Sequence, residues 1–421
     1  MSKPDSAPSR IETPVSAFHD VLIVGGGLVG ASLAIALDRL GLAVCLLEAA
    51  PPGALPAVFD QRNLSLAEAT VNALRALDVL PRLRTPSGPI NRIHISRTGD
   101  FGRVLLKAGD YGRAAFGQVV VARDFGDALE SKLATLPRLK RDRPARFLGF
   151  SEDSPDGLRQ ARVADGDGER LIGARLVVAA DGAASAVRGA LGIAVDHHDY
   201  RQTLFVARVR AERAPDGTAW ERLTDHGPTA VLPRGDGHYG VIHGVANDEA
   251  DTVASLDDAA YLDRLQRIFG WRAGSFLEVG PRSRYPIAQC IAQQTVAPRA
   301  VLIGNAAQSL HPIGAQGFNL GLRDALTLVE CIDAGRALGN DIGSASVLAG
   351  YAQRRREDRE RTIAFSDGLA RCTANPSSLV SSLRSLGLFA IENDDALRAQ
   401  IVGGAMGYRG DIPQLCREVA A

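Results

Sequence analysis

The chain has 421 residues, with 48 basic and 48 acidic side chains and a formal net charge of +0. Its 46% hydrophobic and 23% charged content describes a globular protein of two or three packed units and excludes a disordered chain. The charge balance excludes nucleic acid as the main partner, and five scattered cysteines without a C-x-x-C pair exclude a disulfide framework.

Residues 1–19, rich in Ser and Pro, read as a disordered leader. A buried strand is predicted at Val21 to Val24, followed by Gly25, Gly27 and Gly30 in a G-x-G-x-x-G turn and a helix from Ala31 to Leu40. A second strand, Ala43 to Leu47, ends in Glu48. In such a unit the first glycine permits the tight turn and the second lets backbone N–H groups approach a pyrophosphate. The third allows helix to pack on strand, and the acid accepts from a ribose. This unit predicts a dinucleotide site and leaves NAD and FAD both open.

Further helices are predicted at Leu64 to Leu77 and Phe125 to Leu136, and a buried strand at Leu176 to Ala180 ends in Asp181-Gly182. From about Tyr200 to Val245 the pattern alternates, which predicts an antiparallel sheet forming a separate layer. A buried strand returns at Ala300 to Ile303, followed by Gly304-Asn305, His311-Pro312 and a second glycine cluster, Gly314 with Gly317. The remainder is predicted to be helical, with an Arg-rich face from Arg354 to Arg361. That face has two readings, ion pairing within the helix or contact with anionic lipid. His197-His198 reads as a solvated turn, and no metal site is expected. With no signal-like N-terminus and no apolar run near the roughly 20 residues of a membrane span, a soluble, cytoplasmic protein is expected.

Three clusters, the Gly25–Gly30 turn, Leu176 to Arg188 and Val301 to Asp324, together resemble the FAD-dependent aromatic hydroxylases of the para-hydroxybenzoate hydroxylase superfamily. Ala219 to Pro233, Gly317 to Asp324 and Arg359 to Leu369 are similar to its ubiquinone-biosynthesis branch, and to 2-polyprenyl-6-methoxyphenol hydroxylases in particular. The resemblance runs from about His19 to near the end of the chain. It implies an α/β fold: a Rossmann-like FAD-binding domain of the glutathione-reductase type, a mixed or antiparallel β-sheet substrate domain, and a helical C-terminal region. The implied boundaries are 20–92, 117–195 and 285–345 for FAD, 93–116 and 196–284 for substrate, and 346–421 for the helices.

By position, the resemblance assigns Gly25, Gly27 and Gly30 to the FAD pyrophosphate, Glu48 to the adenosine ribose and Arg62 to the pyrophosphate and ribityl region. It assigns Gln118 and Arg123 to the cofactor, and Asp181 to both FAD and NADH or NADPH. Asn305, where most of the superfamily has Asp, is assigned to the ribityl chain. Pro312, Gly314, Gln316, Gly317, Phe318 and Asn319 are assigned to the flavin ring, with Gly314-Ala315 standing where the family has Ala-Gly. Phe205, Trp220, His226, Leu232 and Pro233 are the implied substrate pocket. His311 is a weak candidate for catalysis, against a structural role fixing the loop. The implied reaction uses NAD(P)H and O2 to hydroxylate a polyprenylated phenol through a flavin C4a-hydroperoxide, with little required of side chains. Peripheral contact at the inner membrane face, or a ubiquinone-biosynthesis complex, is the implied partnership. The rival functions are a flavin hydroxylase of another soluble aromatic and an FAD-holding scaffold without turnover.

Overall fold

Val21, Leu22 and Ile23 are wholly buried. Their side chains alternate between two cores: Val21 and Ile23 join one, Leu22 and Val24 the other. A strand covered on both faces must be apolar throughout, which explains the uninterrupted run. The computed structural model describes residues 15–54, 62–152, 157–375 and 377–417. Within it this strand spans Val15–Val24, so the expected leader ends no later than residue 14, and residues 1–14 lie outside the described ones. Five strands run parallel in the order Ala300–Leu302, Gly168–Ala179, Val15–Val24, Val44–Leu47 and Leu139–Asp142. Helices Leu28–Asp38 and Gln316–Ala337 pack on one face of this sheet. They cross closely because Gly304 and Gly321 leave room for Val29, whose Cγ2 would lie 2.7 Å from a Cβ at position 321.

The second sheet has nine strands around Val195–Ala211, which pairs antiparallel with both Ser283–Ala292 and Tyr239–Ala246. Outward from these come Gly227–Pro233, Thr218–Thr224, Arg92–Arg97 and Arg103–Lys107. His197 and His198 lie in the central strand, which corrects the solvated-turn reading, and His197 is exposed there. Ser283–Ala292 belongs wholly to this sheet, so the boundary expected between 284 and 285 cuts through a strand. Helices Ala250–Ser255 and Asp258–Phe269 cover one face of the sheet, packing on Phe205, Val231 and Val241.

Between the two large sheets stand three short strands, Asn63–Ala67, Gly117–Val121 and Gly88–Pro89. The helix expected from Leu64 therefore begins only at Glu68 and ends at Ala76. Leu64 and Leu66 fit period two while Leu64, Ala67 and Val71 fit a helical stripe, and pairing with Gly117–Val121 decides for strand over 63–67.

The C-terminal helices are Ala345–Thr373, Ser378–Asn393 and Asp395–Ala405. The Arg-rich face of the first is neither a lipid face nor mainly pairing along one helix. Arg355 and Asp358 are buried and reach across to Gln316–Ala337. There Arg323 pairs with Asp358 at 2.7 Å, and Arg355 pairs with Asp324 at 2.8 Å. Asp324 in turn accepts from the backbone N–H of Gly304 and from Gln308. Arg359 donates to Gln308, and Arg354 pairs with Glu330 and Asp411. Arg361 with Glu357 and Arg355 with Asp358 also pair along the helix, as expected, but Arg355 is shared with Asp324 on the other one.

Candidate active site

A cavity of about 780 Å³ opens between the parallel sheet and the uncovered face of the nine-stranded one. One end holds the glycine turn. Gly25 has φ +103°, a left-handed backbone closed to most side chains, and a Cβ at Gly30 would overlap the Gly25 carbonyl oxygen. Helix Leu28–Asp38 then starts at Gly27 with no side-chain cap and no acid in its own first turn, so its N-terminal N–H groups are open to the cavity. Glu48 Oε2 accepts from the Gly26 N–H and Oε1 from the Ala50 N–H, both at 2.8 Å.

Asp181 lines the same space and holds the loop behind it. Its carboxylate accepts from Ser185 Oγ at 2.5 Å and from the Val187 N–H at 3.2 Å. Arg188 extends this support by donating to the carbonyl of Ala306, beside Asn305. The guanidinium of Arg62 stacks on Tyr285, 4.4 Å from the ring centroid, and both residues line the cavity.

At the far end stand Asn305, Pro312, Ala315, Gly317 and Phe318. Gly314 (φ 72°) and Ala315 (φ 52°) are both left-handed, and Ala315 lines the cavity. Helix Gln316–Ala337 starts there, again without a side-chain cap or an acid in its first turn.

Several expected residues lie elsewhere. Asn319 does not line the cavity: its amide bonds the Ala67 N–H and the carbonyls of Ser65 and Ala315, clamping the small sheet to the loop. Gln316 donates to the Gly314 carbonyl, and neither it nor Gly314 is in the lining. Gly30 lies behind the turn. Gln118 accepts from Ser87, and Arg123 is exposed on helix Ala122–Leu133; neither borders the cavity.

Of the expected substrate residues only Leu232 lines the cavity. Phe205 and Trp220 point to the opposite face, where Trp220 packs on Phe269. His226 is exposed in a turn, and Pro233 has the parity opposite to Leu232. A one-residue step moves a side chain to the other face of a sheet. Here both faces are buried, so hydrophobicity alone carries no sign of which parity faces the cavity. Lining residues missed include Leu204, Val206, Ile242, Tyr285 and Ile287 on this sheet.

His311 is also absent from the lining, although Leu310 and Pro312 are present. Its Nδ1 accepts from the Ile313 N–H at 3.1 Å, which leaves Nε2 to donate to Gln202 Oε1 at 2.9 Å. Burial lowers its pKa to about 4, with Asp367 opposing the shift, so the ring is neutral near pH 7. The geometry fits a ring that fixes the loop.

These residues fit an FAD. Two uncapped helix N-termini face one cavity, Glu48 stands beside the turn, and side chains are excluded at Gly25 and Gly30, which set the turn and the packing of its helix. Fold and site together define a two-sheet flavoprotein of the monooxygenase type. The FAD binding domain family matches residues 19–366, and the chain belongs to it, in the ubiquinone-biosynthesis branch of the para-hydroxybenzoate hydroxylase superfamily. The chain is 34% identical over 405 residues to the ubiquinone hydroxylase UbiL of Rhodospirillum rubrum, covering 96% of this chain and 93% of that one. It is 28% identical to the 3-demethoxyubiquinol 3-hydroxylase of Escherichia coli K12, covering 92% and 98% respectively. Among solved structures, p-nitrophenol 4-monooxygenase PnpA from Pseudomonas putida DLL-E4 shares the fold with a TM-score of 0.76. Its identity is 20%, covering 94% of this chain and 99% of that one.

Proposed function

We propose that the protein uses FAD, NADH or NADPH, and O2 to hydroxylate the ring of a polyprenylated phenol in ubiquinone biosynthesis. The observation carrying this reading is a single cavity shared by the dinucleotide turn and the apolar face of the second sheet. FAD supplies, when bound, electron uptake from the nicotinamide and the activation of O2 for oxygen transfer. The protein's own residues would bind, orient and shield. Gly25, Gly27 and the N-terminus of Leu28–Asp38 would hold the pyrophosphate, Glu48 the ribose, and Arg62 and Asn305 the middle of the cofactor. The N–H groups of Gly317 and Phe318, at a positive helix end, would polarise the ring edge. Leu204, Val206, Leu232, Ile242 and Ile287 would exclude water from an apolar aromatic substrate.

A prenyl chain long enough to partition is carried in a bilayer, and one face of helix Ser378–Asn393 suits that source. Its inner side is polar, with Ser381 and Arg384 bonded to the buried Asp100. Its outer side presents Leu379, Leu383, Leu386 and Phe389, each at least 57% exposed. This stripe is on the order of 400 Å², short of the roughly 800 Å² per partner of a standard protein interface, whereas a lipid surface needs no matched partner. No helix among the described residues is long and apolar enough to cross a membrane. The proposed place is the cytoplasmic side, in peripheral contact with the inner membrane face through this stripe. Flotation with phosphatidylcholine vesicles carrying a short-chain prenylphenol tests both parts. We expect bound protein and NAD(P)H-dependent product, with flotation lost in the double variant Leu383→Asp, Leu386→Asp. Turnover of soluble phenols alone, or a dimer in solution with the stripe covered, would overturn the respective part.

A further inference from the structure

We infer that the protein carries a second ligand site, for a small aromatic carboxylate, behind the sheet wall of the FAD cavity, an inference independent of the phenol-hydroxylase reading. A second cavity, of about 660 Å³, lies on the helix-covered face of the nine-stranded sheet. It is bordered by helices Ala250–Ser255 and Asp258–Phe269 and by the loop that leads from strand Phe276–Val279 into Ser283–Ala292. Phe205, Val279 and Pro281 give it an apolar lining, Arg282 and Arg284 a cationic one, and the exposed Ala254 also borders it. Its volume falls within the roughly 300–1,000 Å³ of small-molecule sites.

The two cavities share one wall. Phe205 pairs with Arg284 across two strands, and both line the second cavity. Their neighbours along the same strands, Leu204, Val206 and Tyr285, line the first. Successive side chains of a strand point to opposite faces, so the two spaces lie back to back.

The side chain that points to a ligand is Arg282, only 18% exposed. Among the described residues its guanidinium reaches the Asp258 carboxylate and the Asp257 carbonyl, both at 3.5 Å. Such contacts lie beyond the range of a good N–H···O bond. Arg141, Arg170 and Arg299 have comparable exposure, and each reaches a carboxylate, at 2.7, 2.5 and 2.7 Å respectively. The Tyr261 ring, its centroid 4.9 Å from the Arg282 guanidinium carbon, holds that group in place. Arg282 is thus a fixed, mostly buried cation with under-used donors beside a space that can admit an acceptor. Arg284 pairs with Asp251, but both side chains stand largely in water, where such a pair is worth at most about 1 kcal/mol and exchanges readily.

Two lining guanidinium groups against one lining carboxylate, Asp258, select an anion. A carboxylate matches a guanidinium with two parallel N–H···O bonds, and the ring of Phe205 offers an apolar surface to a flat body. Together they describe an aromatic carboxylate more closely than an inorganic ion.

The test is calorimetric titration of the FAD-loaded, full-length protein with benzoate, and with inorganic phosphate as a second arm. We expect one benzoate site per chain. Arg282→Met should weaken it at least about 10-fold, through loss of the charge-assisted pair, with FAD content unchanged. Ala254→Trp, at an exposed position, should weaken it likewise by filling the cavity, and it decides the matter should Arg282→Met not fold. The wild-type titration repeated in saturating short-chain prenylphenol should return the same benzoate affinity, because the sites are separate. The site is overturned by an absence of saturable benzoate binding, by binding unchanged in both variants, or by binding abolished in the prenylphenol. Phosphate bound as tightly as benzoate would overturn the aromatic class of the ligand.

Discussion

Gly30→Val is expected to yield a folded chain that does not retain FAD. A Cβ at this position has no free direction: it would overlap the Gly25 carbonyl oxygen and lie 3.1 Å from the Ala180 Cβ. Gly25 cannot give way, because its N–H is bonded to Leu47 and its left-handed backbone lies against Ala180 and Asp181. The helix would have to lift from the turn, carrying its N-terminal N–H groups off the cavity. A displacement of about 1 Å at charge-assisted hydrogen bonds removes most of their worth. We expect FAD affinity to fall at least about 100-fold, roughly 2.8 kcal/mol. Equilibrium dialysis with flavin absorbance measures this, and near-stoichiometric FAD in the variant would contradict it. Gly350→Ala is the control: its Cβ meets nothing within 4 Å, and in mid-helix it should stabilise by about 0.5–1 kcal/mol.

The second large effect is expected at Asp358. Burial opposes its charge, but Arg323 and Arg355 beside it hold the carboxyl below the ordinary aspartate range. Asp358→Ala leaves two buried guanidinium groups short of a partner in a region where all three side chains are at most 2% exposed. Breaking a buried pair in this way costs about 3–5 kcal/mol. The urea midpoint should fall accordingly. FAD content should fall with it, because Arg355 holds Asp324 and Asp324 holds the Gly304 N–H at the cofactor loop. An unchanged midpoint would mean that the two arginines find other partners.

How far the site could be read from the sequence follows from how local each constraint is. Gly25, Gly27, Gly30 and Glu48 answer to steric rules within one strand–turn–helix unit, so spacing alone locates them. Phe205 was expected at the cavity in place of Leu204 and Val206 because the strand is buried on both faces, and the covering helices Ala250–Ser255 and Asp258–Phe269 come from later in the chain. Asn319 has the residue type expected of a flavin contact, yet its partners Ser65 and Ala67 lie more than 250 positions away. The Arg354 to Arg361 run resembled a surface pattern because its partners, Asp324 and Arg323, sit on another helix. Such residues become legible only when the contacts between distant stretches are known.

Oxygen transfer to an aromatic ring is the core of the proposed activity, and the source of the oxygen atom tests it most directly. Purified protein with FAD, NADH or NADPH, and a short-chain prenylphenol, supplied with isotopically labelled dioxygen in ordinary water, should give a product carrying one labelled oxygen on the ring. NAD(P)H oxidation without labelled product, for every prenylphenol offered, would contradict it.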